Sequence, residues 1–447
     1  VQDRLFRKGE GHIGDLCLEF SGKKQELGDI TLRAHPSGKE QCYRLESGFL
    51  SGALIGSGTL VDFISDVQKV TARRELPALY RDSLATLQST GAYDLQLRFH
   101  DSRPLMSFVS PGLYIADGTD FVLSMDRDGD LSARLSSPRL ASGTTYIKDV
   151  SLVIDNFASS LNIDLTGSEA SAGSLGISKP SANVYAHNNQ AQLAIRYDNS
   201  SEEGGYGDIF INVDFLRDPS GHLAFRAHPL NSLINDGVRS WELGESDLLF
   251  SKGDILISNF SLESGLQSIH IDGGLSNERA DTLSLKVNNL DLSIIDLFLK
   301  KKSLVSGSMG GEAFIISDGE LAKGMLMNFK TDSLAVAGRS AGDITLASSW
   351  RGEGREIGIY LLDRLEGRDM LFIDGIYMLD SRILSLSTHI DKFPFELVEP
   401  FVSPILSELG GSLSGRMEAN GPLEELSVQS SDLFISDMMA RIGATGA

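Results

Sequence analysis

Residues 283–315 read LSLKVNNLDLSIIDLFLKKKSLVSGSMGGEAFI, and residues 384–421 read LSLSTHIDKFPFELVEPFVSPILSELGGSLSGRMEANG. In the first stretch Leu283, Leu285 and Val287 alternate with polar residues and run into Leu290 and Leu292. A short apolar, helix-like turn with Ile295, Phe298 and Leu299 follows, and then Gly307, Ser308, Met309, Gly310 and Gly311. In the second, Leu384 and Leu386 lead to Phe393 and Phe395, then to Val398, Phe401 and Val402, then to Gly411, Ser412, Leu413, Ser414 and Gly415. The same parts recur in the same order. A supersecondary unit repeated along a chain predicts an elongated array built by stacking rather than one compact globule.

Outward from these copies, period-two alternation dominates the chain, the pattern of strands with one apolar and one polar face. Examples are Leu95, Leu97, Phe99; Phe121, Leu123, Met125; Ile209, Ile211, Val213, Phe215; Met325, Met327, Phe329; and Ile357, Ile359, Leu361. Turn clusters such as Asp128-Gly129-Asp130 and Asp218-Pro219-Ser220-Gly221 separate the runs, which is hairpin chemistry. Helical spacing occurs at Leu60–Ala72 and Pro77–Leu87, and in the short turns Ser293–Lys301 and Glu396–Ser407 of the repeated unit. The glycine clusters at Gly307 and Gly411 read as tight turns between strands.

So few helices cannot cover so many one-sided strands, and open sheets rarely exceed about ten strands without curling or splitting. The expected fold is mostly β: an elongated antiparallel sheet curled lengthwise into an apolar groove, β-taco-like, with a few short helices. The corresponding organisation is a β segment at 1–58, a helical insertion at 59–91, an extended β-sheet region at 92–282, one repeat unit at 283–383 and a second at 384–447, truncated at its end.

The bulk numbers narrow the function. With 41% hydrophobic residues, 46 glycines and only 12 prolines the chain is foldable. A formal charge of −21 repels phosphate backbones and excludes nucleic acid as a partner. No stretch has the roughly 18 uncharged apolar residues of a spanning helix. The chain starts at Val1 without methionine and ends at Ala447 within a strand pattern, so it reads as a segment of something longer. Cys17 and Cys42 lie in neighbouring strand-like stretches, where a disulfide and two spare thiols are equally compatible with the sequence.

Catalytic motifs are lacking: no metal-ligand spacing among the histidines, no G-x-S-x-G elbow and no phosphate loop. Asp126, Asp128 and Asp130 read as a solvated hairpin tip, because the glycine falls too early for a helix-loop-helix calcium site and no glutamate follows at the required distance. The expectation is a non-enzyme without cofactor or metal. What remains is the apolar face, which as a groove would suit acyl chains: burying a methylene is worth about 0.8 kcal/mol, so a chain of some sixteen carbons gains on the order of 12 kcal/mol over water.

The repeated unit, an alternating strand, a short apolar helix, Gly-Ser-x-x-Gly and another strand, resembles the repeats of the TamB family within the AsmA-like group of bridge-like lipid transfer proteins. The resemblance is carried by Leu283–Ile315 and Leu384–Gly421, with Gly421, Pro422 and Leu423 where such repeats turn into the next strand. A fainter copy starts at Leu95 and includes Phe108-Val109-Ser110-Pro111, like Phe401–Pro404; Trp241–Gly273 is similar to inter-repeat strands. The family's membrane anchor and terminal domain have no counterpart in these 447 residues.

The resemblance implies residence in the periplasm of a Gram-negative cell, with the full-length protein anchored in the inner membrane. It implies work beside an outer-membrane barrel of the Omp85 type, conveying phospholipid between membranes, assisting assembly of unfolded outer-membrane proteins, or both. Phospholipid acyl chains would meet Leu283, Leu285, Val287, Leu384, Leu386, Phe393 and Phe395, with Phe298 and Phe401 on capping or gating helices. The rival readings are a β-solenoid adhesin or polysaccharide-binding surface protein, which would show coils of about 20–25 residues with Asn or Thr ladders, and a chaperone offering strand edges to unfolded strands.

Overall fold

A computed structural model describes residues 8–20, 23–73, 76–79, 91–110, 112–157, 160–172, 175–198, 205–218, 220–235, 238–295, 304–318, 324–351, 356–402, 406–423, 425–430 and 432–442. The chain is mostly β: 74% of the described residues are strand and 7% helical. It divides into two compact units, Val1–Trp241 and Glu242–Ala447, the boundary falling inside the 92–282 region. In both units the strands pair antiparallel, mostly with their neighbours in sequence.

In the first unit, cross-strand register turns local alternation into a two-faced sheet, because residues directly opposite on paired strands point to the same face. One row runs Leu32–Leu45–Gly52–Leu97–Phe121–Leu135–Leu152–Leu165–Ala182–Ile195–Ile209. Every member is apolar or glycine. One residue out of step, the row Thr31–Glu46–Ser51–Arg98–Asp120–Ser136–Ser151–Thr166–Ser181–Arg196–Asp208 is polar throughout. The polar face is laced with ion pairs such as Arg196–Asp208 at 2.8 Å.

One end of this apolar face is covered. The helix Leu60–Arg73 starts on a reciprocal cap, in which the Thr59 N–H and hydroxyl both donate to Asp62 Oδ2 at 2.7 Å and the Asp62 N–H donates back to Thr59 Oγ1 at 3.2 Å. Its Phe63 and Val70 are buried with Tyr43, Leu54, Tyr93, Leu123, Met125 and Leu131, and Phe63 meets the Tyr93 ring edge-on at 5.3 Å. Leu60 and Ile64, at helical spacing with Phe63 and Val67, are exposed. At Pro77–Leu79, within the expected second helix, the chain makes one 3-10 turn, fixed by the Ala78 N–H on Asn189 Oδ1; residues 80–90 lie outside the described residues. A helix at Arg103–Val109, started by Pro104 in its first turn, occupies the stretch read as a faint repeat copy.

The repeated unit resolves into a bulge, which corrects the reading of its glycines as turns. Gly307 lies inside the strand Val305–Asp318 and Gly411 inside Leu406–Pro422. Three residues further along, opposite Gly310 and Ser414, the preceding strands each skip register, between Val287 and Leu290 and between Ile390 and Phe393, with Asn289 and Lys392 in left-handed conformation. The two sites superpose residue for residue in their pairing: Val287 with Gly311 and Ile390 with Gly415; Leu290 with Met309 and Phe393 with Leu413; Asp291 with Ser308 and Pro394 with Ser412.

Beside the bulges, glycine admits close approach of the chain on the other side of the strand. At Gly415, with φ +135, a Cβ would sit 2.2 Å from the Asp432 carbonyl oxygen; at Gly311, with φ +152, 2.1 Å from that of Asn328. Gly415→Ala is therefore expected to destabilise the second unit by about 1–3 kcal/mol, whereas Gly48→Ala, with an ordinary φ and open space around it, changes little. Urea unfolding of the two variants side by side checks this, and equal midpoints would contradict it.

Candidate functional site: an uncovered apolar sheet face

In the second unit one row of cross-strand partners runs Leu243–Leu262–Ile269–Val287–Gly311–Phe329–Leu346–Leu361–Ile373–Thr388–Met417. A second runs Phe260–Ile271–Leu285–Ala313–Met327 and resumes as Ile359–Gly375–Leu386–Ala419–Val428. The reverse face carries His270–Lys286–Glu312–Asn328–Ala347–Tyr360–Asp374–Ser387–Glu418. Residues two apart on a strand share a face, so Leu283, Leu285, Val287, Leu384 and Leu386 all lie on the apolar one. The bulge keeps Phe393 there too, because its partner Leu413 is two residues from Gly415.

Exposure separates these residues. Val287 and Leu384 are buried at 4% and 8%, whereas Leu283, Leu285, Leu386, Phe393 and Phe395 are half-buried. Phe329, Leu346, Leu361, Ile373 and Met417 along the first row are also half-buried, as are Leu97 through Ile209 along the equivalent row of the first unit. Side chains packed between two layers would be nearly all inaccessible. This face is largely apolar, and away from its ends its side chains are only part-buried among the described residues.

The short helices sit at the bulge end of the strands. A 3-10 turn at Leu292–Ile295 buries Leu292, and another at Phe395–Leu397 buries Leu397. The turn Glu399–Val402 is tied down by Glu399, whose Oε2 accepts from Arg339 Nη1 at 3.2 Å and whose Oε1 accepts the Glu408 N–H at 3.0 Å; Arg339 also donates to the Glu396 carbonyl at 2.9 Å. Of the expected capping residues, Phe401 is on this turn with its side chain outside the described ones, and Phe298 lies outside the described residues.

One charged group on the apolar face departs from the alternation. Asp363, 3% exposed, lies in the row Ile344–Asp363–Leu371–Ile390, and its Oδ1 has no hydrogen-bond partner. Gly342 makes room for it: a Cβ there would stand 2.5 Å from Asp363 Oδ1. Burial, with Asp343 nearby adding repulsion, pushes the Asp363 carboxyl up from 3.8 to about 6. The signal in sequence is Leu361-Leu362-Asp363, a charge at a position where the alternation of Ile357, Ile359 and Leu361 calls for an apolar residue.

Other chemistry is thin. Ser51 Oγ lies 2.9 Å from His100 Nε2, and His100 Nδ1 lies 3.9 Å from Asp117 Oδ1, in the order of a hydrolase triad. The neighbouring N–H groups are spent, His100 on Phe49 O and Gly118 on Phe99 O, and the Asp117 side chain is 81% exposed, so neither an oxyanion hole nor a fixed orienting carboxylate is built there. At the Asp126–Asp130 tip, Asp126 Oδ1 accepts the N–H groups of Asp128 and Asp130 at 2.9 and 3.0 Å, a closed aspartate-capped turn. Cys17 and Cys42 are free thiols. No helix among the described residues is long and apolar enough to cross a membrane. Comparison with family models, curated proteins and solved structures finds no match.

Proposed function

We propose that this chain is a non-enzymatic lipid conduit, in which the uncovered apolar sheet face forms a groove for phospholipid acyl chains between the inner and outer membranes of a Gram-negative cell. The observation that carries this reading is the half-buried apolar row of each unit, Leu97 to Ile209 and Phe329 to Met417. Water against such a face is costly at about 25 cal/mol per Å², and lipid tails relieve that cost with no need for directional contacts. The polar reverse face is a solvated exterior. Residence in the periplasm, an inner-membrane anchor outside this segment and an Omp85-type barrel as outer-membrane partner follow from the resemblance of the repeated unit to the TamB family.

Assistance to unfolded outer-membrane proteins is a second role, favoured by one feature. The strand Phe434–Ile442 pairs on one side with Leu406–Pro422, has no other partner among the described residues, and exposes Phe434 and Met439 at 65% and 68%. An amphipathic strand could add to that edge.

The test of the conduit is native mass spectrometry of the purified segment together with photocrosslinking. Copurified phospholipid, and lipid adducts from a photoreactive residue at Leu285 but not at Lys286 on the reverse face, are expected. Absence of lipid, or equal labelling from both positions, would overturn the reading.

A further inference from the structure

The polar face of the first unit holds a depression that the lipid reading does not use. It has a volume of about 580 Å³ and lies across the strands Leu161–Thr166, Ser181–His187, Gln190–Asp198 and Tyr206–Arg217. Two cross-strand rows supply its floor, Asp164–Asn183–Ala194–Phe210 and Asn162–Tyr185–Gln192–Asn212. Asp155 closes one side, opposite Asn162.

The chemistry of this lining is selective. It contains two carboxylates and no lysine, arginine or histidine, and Arg196, which lies over the Phe210 ring at 5.3 Å, is paired with Asp208 at 2.8 Å, so phosphates and other anions are disfavoured. The carboxylates are already oriented: Asn162 Nδ2 donates to Asp155 Oδ1 at 2.8 Å, and Asn183 Nδ2 to Asp164 Oδ1 at 2.5 Å. Each of these pairs leaves an amide carbonyl, a second amide proton and a second carboxylate oxygen, an alternating set of donors and acceptors on a fixed frame. Beside them stands Tyr185, 48% exposed, an aromatic surface with nothing apolar to hide it from water.

Strands about 4.8 Å apart make a site crossing four of them some 14 Å long. That is far larger than an ion needs and within the range of small-ligand sites. A ligand matching planar amides, carboxylates and one exposed ring, without charge of its own, is a polyhydroxylated ring compound.

We infer that this depression binds a neutral glycan laid across the strands, with a pyranose ring stacked on Tyr185 and its hydroxyl or acetamido groups held by Asn183, Gln192, Asn212 and the two aspartates. An acetamido group is the best complement, its N–H donating to carboxylate and its carbonyl accepting from amide. The site faces away from the apolar rows, so a glycan contact and lipid passage do not compete for the same surface.

Isothermal titration of the whole chain with chitotetraose tests the inference. Saturable binding is expected, weakened about tenfold or more in Tyr185→Ala, the equivalent of about 1.4 kcal/mol, and weakened likewise in Gln192→Ala. Far-UV circular dichroism and an unchanged melting temperature confirm that each variant is folded; both side chains are exposed, so neither substitution empties a core. No binding of chitotetraose overturns the proposal, as does binding that both variants retain in full. Saturable binding of spermidine at this site without chitotetraose binding also overturns it, assigning the aspartates to a polycation instead.

Discussion

Leu386→Arg is expected to strip phospholipid from the purified chain, lowering the copurified amount by about a hundredfold, while the protein stays folded. Leu386 is half-buried in the row Ile359–Gly375–Leu386–Ala419–Val428. A guanidinium there meets acyl chains and carries a cost of about 2.5–3.5 kcal/mol in hydrocarbon, but in the lipid-free protein its long stem reaches water across a face that is already partly open. Leu285→Arg is expected to behave in the same way. Ser387→Arg is the control: its neighbours across the strands are Asp374 and Glu418 on the reverse face, so the new charge is welcome and lipid content is unchanged. Native mass spectrometry reads all three. Equal lipid loss from Ser387→Arg, or full retention by Leu386→Arg, would show that acyl chains do not use this face.

Asp363→Asn is expected to stabilise the protein at neutral pH by about 3 kcal/mol. The native carboxyl titrates near 6 rather than at its ordinary 3.8, and about two pKa units are worth about 3 kcal/mol. The folded state thus holds its proton more tightly than the unfolded chain. Below about pH 4 both forms are protonated and the group costs nothing; the penalty grows as pH rises through the window from about 4 to 6, and above it is constant. Wild-type stability therefore falls across that window, and Asp363→Asn removes the fall. Urea unfolding of both proteins at pH 4 and pH 7.5 checks the sign. A variant less stable than wild type at pH 7.5 would mean that the ionised carboxylate has a partner after all.

A buried carboxylate without a partner on an otherwise apolar face is a large local cost. It lies in one row with Ile390, the last residue paired before the bulge of that strand.

Much of the fold is legible in the chain. The alternation of Leu95, Leu97 and Phe99, or of Ile357, Ile359 and Leu361, identifies strands and their apolar faces, because the pleat sends successive side chains to opposite sides. The helix at Leu60–Arg73 is visible in the spacing of Leu60, Phe63, Ile64 and Val67, of which Phe63 and Val67 pack on the core and Leu60 and Ile64 face outward. The helix at Arg103–Val109 is not: it is two turns long, and a span that short carries too little periodicity to separate it from a strand or loop.

The candidate site was legible as a composition and not as a surface. Leu283, Leu285, Val287, Leu384, Leu386 and Phe393 share one face as the alternation requires, but Val287 and Leu384 are buried where Leu285 and Leu386 are half-open. That difference is made by neighbours distant in sequence. The same holds for the polar depression, where Asn183, Tyr185 and Gln192 read singly as solvated strand residues and become a site through their register with Asn162 and Asn212.

Local spacing and residue type are enough to mark this protein as a mostly β chain of one-sided strands with a repeated glycine-bearing unit. Tertiary pairing adds that Gly311 and Gly415 lie beside bulges inside strands, that apolar residues of many strands line up in rows and stay part-buried, and that Asp363 lies among them. Pairing register and coverage are set by contacts between residues far apart along the chain, and no local pattern encodes them.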